Sequence, residues 1–120
     1  MKNYQSSNII LEKSFAFALV IIEFSEKLID RKKYRMADQL FRSGTSIGAN
    51  LREAQNAESR KDFLHKVKIA AKEADETAYW LELCKASPHY PHEEKLDTLL
   101  GEIQRILNSI ITTIKRNNQL

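Results

Sequence analysis

The chain has 120 residues, of which 42% are hydrophobic and 29% are charged, and its formal net charge is +3. This length fits one domain with one core, and three glycines and two prolines are too few for a disordered or collagen-like chain. One cysteine cannot form an internal disulfide. The longest charge-free apolar run, residues 14–22, is too short to cross a bilayer, and residues 1–8 lack the apolar centre of a signal peptide. We therefore expect a cytoplasmic protein that does not contact membranes.

The first predicted helix, residues 8–32, carries two apolar stripes instead of one. The first stripe consists of Ile10, Phe17, Ile21, Phe24 and Leu28. The second stripe consists of Leu11, Phe15, Ala18, Ile22 and Ile29. One stripe suffices for a bundle core, and a monomer seldom leaves a contiguous apolar patch exposed to water. The surplus predicts a homo-oligomer whose interface includes Phe17, Ile21 and Phe24; the alternative is a first helix buried unusually deeply within a monomer.

Three further helices are predicted at residues 36–55, 59–85 and 93–115, where apolar residues recur with helical spacing. The connection before the last of them holds both prolines of the chain. Four amphipathic helices with short connections predict an all-α fold, an antiparallel up-down-up-down four-helix bundle that occupies residues 1–120 as a single domain.

The second and third helices each carry one unusual local feature. Gly44 and Gly48 lie four residues apart within a helix, where each glycine costs about 1 kcal/mol relative to alanine. We expect this cost to be offset by close approach of another helix, either the first or the third, or by insertion of a ring such as Trp80 or Phe17. Ser59 is predicted to cap the third helix, because its hydroxyl can accept from a free backbone N–H and Asp62 follows three residues later.

Two sequence blocks on these helices resemble a known family. The first block, residues 39–53, reads QLFRSGTSIGANLRE. The second comprises Lys61-Asp62-Phe63, Lys66, Ile69-Ala70, Lys72-Glu73-Ala74, Glu76-Thr77 and Tyr79-Trp80-Leu81. In order and separation they resemble the four-helix-bundle proteins encoded in intervening sequences of bacterial 23S ribosomal RNA genes. The chain departs from the commoner family form at Ala54, where many members have glycine, so we expect the second helix to run one turn further.

The resemblance implies a left-handed bundle and a ring-shaped homopentamer. It also implies a role in nucleic-acid binding, which has been proposed for the family from gene location and basic surfaces. A similar subunit accompanies the reverse transcriptase of diversity-generating retroelements.

Polar residues follow one side of each of the two signature helices. On the second helix they are Gln39, Arg42, Ser46, Asn50 and Glu53; on the third helix they are Lys66, Glu73 and Glu76. We predict that these rows meet between helices or subunits as a structural polar network, since an unpaired buried polar group costs about 1–3 kcal/mol. A ligand site is the alternative.

Residues that could support catalysis are few and scattered. No glutamate is followed three residues later by histidine, as a di-iron bundle requires, and His89 and His92 alone do not complete a zinc site. Ser46 has no neighbouring histidine to act as a base, and Cys84 continues an inner helix face as a small apolar side chain. We expect no enzymatic activity, metal, cofactor or small-molecule substrate.

Basic residues near helix ends and along the third helix are the candidate nucleic-acid contacts. They are Arg31, Lys32, Lys33, Arg35, Arg60, Lys61, Lys68 and Lys72. Such residues bind phosphate backbones, and repetition around an oligomer multiplies a weak basic patch; a solvated surface with interleaved acidic residues is the alternative. We predict a non-enzymatic homo-oligomeric scaffold or adaptor with weak RNA or DNA binding. The alternative is a protein-binding accessory subunit, for example of a reverse transcriptase, with no direct nucleic-acid contact.

Overall fold

Four α-helices make up most of the chain in the computed structural model, which describes the backbone of residues 4–118 and the side chains of residues 9–117. The helices are α1 (Tyr4–Asp30), α2 (Tyr34–Ala54), α3 (Arg60–Ala86) and α4 (Glu94–Asn118). α1 packs against α2 and α4, and α3 packs against the same two helices, so each helix has two close neighbours in the described part of the chain. With short connections this is an up-down-up-down bundle of 51 × 22 × 20 Å. The predicted fold class is confirmed, and the left-handedness stays a prediction.

Local backbone geometry explains where the helices begin and end. Lys32 has a positive φ of 64°, which stops α1 at Asp30, before the predicted end at residue 32. The Ser59 side chain accepts from the Asp62 backbone N–H at 3.0 Å, so the predicted cap of α3 is confirmed. α2 ends at Ala54, and the expected extra turn is absent because the Gln55 N–H turns back to the Arg52 carbonyl at 3.2 Å.

The first stripe of α1 forms the centre of the core. Phe17 and Ile21 are 0% exposed and Phe24 is 1% exposed within the single chain. Their assignment to an interface between subunits is therefore wrong, because they pack against the other helices of their own bundle. The second stripe is the one that faces outwards.

The two glycines of α2 let α1 approach closely. A Cβ atom on Gly44 would lie 2.8 Å from Ile21 Cγ1, and one on Gly48 would lie 3.3 Å from Ser14 Oγ. The approaching helix is thus α1, the first of the two alternatives.

In the part of the chain that the structure describes, no helix is both long and apolar enough to span a membrane.

Candidate functional site

Large apolar side chains lie exposed along the side of the bundle that α1 and α2 share. They are Phe15, Leu19, Ile22 and Ile29 on α1, with Tyr34 and Phe41 on α2, and each is between 38% and 56% exposed. We call these six residues the α1/α2 face. Phe15, Ile22 and Ile29 recur at seven-residue intervals, about 10 Å each, so the face extends for about 20 Å along the bundle. This length matches the contact surface of a helix rather than that of a small ligand.

A shallow groove runs between the two helices at one end of this face. It has a volume of about 290 Å³ and is lined by Leu11, Ser14, Phe15, Ala18, Thr45, Gly48, Ala49 and Arg52. The guanidinium carbon of Arg52 lies 5.9 Å from the centre of the Phe15 ring, within range of a cation–π interaction. The small residues at Ala18, Gly48 and Ala49 keep the groove open.

The exposed charges on the outer side of α1 are acidic. Glu12, Glu23, Glu26 and Asp30 all lie exposed there. The α1/α2 face is therefore an apolar strip with carboxylates along its α1 edge and the exposed Arg52 on its α2 side.

The polar rows of α2 and α3 meet on the adjacent side of the bundle, which we call the α2/α3 face. Arg42 donates to Glu73 Oε1 at 3.2 Å and also to Glu76 Oε2, and the Trp80 indole donates to the same Glu76 oxygen at 3.0 Å. The hydrogen bond from Glu76 raises the pKa of Arg42. The hydrogen bonds from Arg42 and then Trp80 lower the pKa of Glu76. These charges therefore satisfy one another within one chain.

A second ion pair lies further along the same face. Lys66 Nζ donates to Glu53 Oε1 at 3.0 Å, and this hydrogen bond raises the pKa of Lys66. Ser46 Oγ donates to the Arg42 carbonyl at 2.6 Å, and Asn50 Nδ2 donates to the Ser46 carbonyl at 2.9 Å, so both side chains bond to their own helix. Gln39 is exposed and makes no hydrogen bond to the rest of these rows within the described residues.

A buried polar contact beneath this face escaped the sequence patterns. Thr77 Oγ1 lies 2.8 Å from Ser43 Oγ and 2.7 Å from the Glu73 carbonyl oxygen, and both hydroxyl residues are fully buried. Their only sequence signal is that each lies on the inner side of its helix at a position where an apolar residue is expected. The contact fixes α2 against α3 at mid-height.

The eight candidate nucleic-acid residues do not form a single patch. Arg31, Lys32, Lys33 and Arg35 lie at the α1–α2 connection, and we call these four residues the basic end. Arg60 and Lys61 open α3 at the opposite end of the bundle, and Lys68 and Lys72 are exposed along the α3 helix. The distance between the two ends is about 30 Å, the length of α2.

The basic end rests against the connection between α3 and α4. Lys33 Nζ lies 4.7 Å from the centre of the Tyr90 ring, and Arg31 Nη1 donates to the His89 carbonyl at 3.5 Å. Lys32 and Arg35 are exposed, and Tyr34, which directly precedes Arg35, is 56% exposed. This end presents positive charge beside an accessible aromatic ring.

Reactive groups are sparse in the described part of the chain. Cys84 is 1% exposed, and burial raises the pKa of its thiol to about 11, which keeps it neutral and unreactive at neutral pH. Residues 9–117 contain no cluster of three or more His, Cys, Asp or Glu side chains arranged to hold a metal ion. The distinctive features of this molecule are surfaces.

The fold and these surfaces define a small all-α bundle protein with two contrasting faces, one apolar and one of paired charges. The sequence model of the 23S rRNA-intervening sequence protein family matches residues 6–112, and the chain belongs to this family.

Among solved structures, the chain is similar to the crystal structure of a protein with unknown function from the S23 ribosomal protein family of Bacteroides thetaiotaomicron. The two are 43% identical with a TM-score of 0.85, over 90% of this chain and 99% of that chain. No curated protein matches the chain.

Proposed function

We propose that this protein is a non-enzymatic scaffold that assembles from copies of itself through the α1/α2 face and binds RNA or DNA weakly through the basic end. The observation that carries the proposal is the exposed α1/α2 face. Full burial of a side chain such as Phe or Ile contributes about 1.5–3 kcal/mol relative to exposure. A surface that covers six such residues, each already partly buried, therefore gains several kcal/mol.

A second copy of the chain is the simplest partner for this face. The family resemblance implies a homopentamer, and covering one patch per subunit in a ring requires no other protein. The carboxylates along α1 disfavour phosphate contact at that edge of the face, so the proposal assigns nucleic acid to the basic end instead.

The basic end supports the nucleic-acid part of the proposal. Lys32 and Arg35 are exposed and free to contact phosphates. Asp30 and Asp38 lie nearby and are exposed, so one copy alone would bind weakly. An assembly would repeat this end several times and raise the affinity through multivalency.

The absence of enzymatic activity is part of the same proposal. The most strongly interacting charged groups, Arg42, Glu73 and Glu76, pair with one another and stay in place, whereas a catalytic acid or base needs access to a substrate. Cys84 is too deeply buried to act as a nucleophile. The cytoplasmic location remains the prediction made from the sequence.

Fluorescence anisotropy with a labelled single strand and a labelled duplex, each at two salt concentrations, tests the nucleic-acid role. We expect binding whose affinity falls steeply as salt rises, and we expect the double variant Lys32→Ser/Arg35→Ser to bind at least several-fold more weakly. Arg105→Ser is the matched control, because Arg105 is an exposed arginine in the middle of α4, and it should bind as the unmodified protein does. No binding at low salt would contradict the proposal and favour the protein-binding accessory subunit.

A further inference from the structure

We propose that the α3–α4 connection, residues 87–93, is autoinhibitory: it occupies part of the positive charge at the basic end, and nucleic acid must displace it to bind fully. This inference rests on the proposed nucleic-acid binding and adds a regulatory contact to the same site. In the free protein the connection holds two of the four cations of the basic end, together with Lys27 one helical turn before them. Lys32 and Arg35 make the first phosphate contacts.

An ion pair links the last turn of α1 to the α3–α4 connection. Lys27 Nζ donates to Glu93 Oε1 at 3.1 Å, and both side chains are partly exposed. The Arg31 N–H still donates to the Lys27 carbonyl at 3.3 Å, so the two basic side chains leave the same side of the helix, four residues apart. The Glu93 carboxylate therefore occupies a cation beside the basic end and adds a negative charge there.

Two residues of the basic end contact the same connection. Arg31 Nη1 donates to the His89 carbonyl at 3.5 Å, and Lys33 Nζ lies 4.7 Å from the centre of the Tyr90 ring. A carbonyl oxygen accepts from a guanidinium N–H, and the face of an aromatic ring attracts a cation. Both basic side chains are thus held against the connection, and each must leave its contact to reach a phosphate.

The other two residues of the basic end are not held in this way. Lys32 and Arg35 are exposed, and neither forms an ion pair among residues 9–117. The basic end therefore combines two accessible cations with two that are already engaged. Release of the engaged side chains, with Lys27, would raise the number of cations available to phosphate from two to five.

The backbone of the α1–α2 connection stays in place during such a release. The Lys33 N–H donates to the Leu28 carbonyl and the Lys32 N–H donates to the Ile29 carbonyl, both at 2.8 Å. The held cations can therefore leave their contacts by side-chain rotation alone, which takes picoseconds to nanoseconds for exposed residues. Nucleic acid can displace these contacts without unfolding either connection.

Other charged residues close to these helix ends are exposed and form no ion pair in the part of the chain that the structure describes. They are Glu26, Asp30, Asp38, Glu82, Lys85, Glu94 and Lys95. Asp97 lies 2.9 Å from His92 Nε2 and holds no cation of the basic end. These charges are the same before and after release, so they weaken or strengthen binding equally in both states.

Glu94 offers a matched control for Glu93. The two residues are adjacent, and Glu93→Gln and Glu94→Gln each remove one negative charge from the same end of the bundle. Only Glu93→Gln also frees a lysine, because only Glu93 is paired. Each additional phosphate contact releases further counterions, so the freed lysine should increase both the affinity and its dependence on salt.

Fluorescence anisotropy with the labelled duplex at several salt concentrations tests the inference. Glu93→Gln should bind about two- to five-fold more tightly than Glu94→Gln at low salt, the range that one exposed ion pair supplies, and its affinity should fall more steeply as salt rises. Equal affinities and equal salt dependence of these two variants would overturn the inference, even if both bind. If neither the unmodified protein nor either variant binds at low salt, the nucleic-acid role itself is contradicted, and the inference with it.

The Tyr90 ring is tested in the same assay. Tyr90 packs against the core, so Tyr90→Leu keeps an apolar side chain there and removes the ring face, whereas Tyr90→Phe keeps the ring. Tyr90→Leu should bind about two-fold more tightly than the unmodified protein because Lys33 is released, and Tyr90→Phe should bind as the unmodified protein does. A Tyr90→Leu variant that binds no more tightly than Tyr90→Phe would overturn the part of the inference that concerns Lys33.

Discussion

The α1/α2 face and the α2/α3 face share one helix and differ in the side chains that they expose to water. On the α2/α3 face the exposed groups are charged, and Arg42, Glu73, Glu76, Glu53 and Lys66 pair with one another inside the chain. On the α1/α2 face the exposed groups are apolar and nothing in the described chain covers them. A single chain thus pairs the charges of one face and leaves the apolar side chains of the other exposed.

The same contrast separates two kinds of sequence signal. Rows of complementary charges indicate contacts that a helix pair completes by itself, whereas a surplus apolar stripe indicates a surface that the single bundle leaves exposed. Signature residues such as Arg42, Glu76 and Trp80 therefore hold α2 and α3 together, and residues outside the two signature blocks, such as Phe15 and Ile22, form most of the exposed α1/α2 face.

The largest expected effect comes from truncating one aromatic side chain on each of the two stripes of α1. Phe17→Ala removes a fully buried ring and should lower the free energy of unfolding by about 3–5 kcal/mol in a urea titration. Phe15→Ala, on the exposed stripe, should leave the helical fold intact and weaken association. Equal stability losses in the two variants, measured in the Ile22→Glu background that removes association, would contradict the assignment of inner and outer stripes.

The next effect concerns the close packing that orients α1. Gly44→Ala should destabilise the bundle by about 1–3 kcal/mol, because the new methyl group would lie 2.8 Å from Ile21 Cγ1. Gly101→Ala is the matched control: its nearest contact is 3.6 Å away, and the gain in helix propensity should stabilise the protein by up to about 1 kcal/mol. Thermal unfolding of the two variants should therefore shift in opposite directions, and a stabilising Gly44→Ala would be incompatible with the close approach.

A smaller effect is expected on the α2/α3 face. A double-mutant cycle with Arg42→Ala and Glu76→Ala should give a coupling free energy of about 0.5–1 kcal/mol, since both side chains are partly exposed and solvent screens the pair. Changing these residues should leave the mass of the assembly unchanged. Dissociation of the Arg42→Ala variant would show that this face also belongs to the interface between subunits.

The smallest effect is the pH dependence of the same pair. The lowered pKa of Glu76 contributes stability that is fully present above the ordinary glutamate pKa of about 4.3 and is lost as pH falls through the folded value. Because Glu76 is partly exposed, the loss should not exceed about 0.5 kcal/mol. Glu76→Gln should remove this component from a comparison of urea titrations above and below that pH; an unchanged pH dependence would contradict the pairing.

The sequence predicted the four helices because their signals are local. Apolar periodicity, the Ser59 cap and the unusual Gly44 and Gly48 each depend on a few neighbouring residues. Which stripe of α1 faces inwards depends on α2, whose glycines admit Ile21 and Ser14, and the two stripes look alike without that partner.

The candidate surfaces were predictable only in part for the same reason. Spacing placed Arg42 and Glu76 in facing rows, but whether they pair depends on the register between helices, which the buried Ser43–Thr77 contact helps to set. Basic residues of the same type, such as Arg35 and Arg60, lie at opposite ends of the bundle because the length of α2 separates them. Distance across the fold is a tertiary property that helical spacing does not contain.

The molar mass of the unmodified protein at micromolar concentration, measured by light scattering after size exclusion, tests the central claim that the α1/α2 face is covered by a second copy. We predict a discrete multiple of 13.9 kDa that Ile22→Glu reduces to a single folded chain. A monodisperse 13.9 kDa species for the unmodified protein would contradict it.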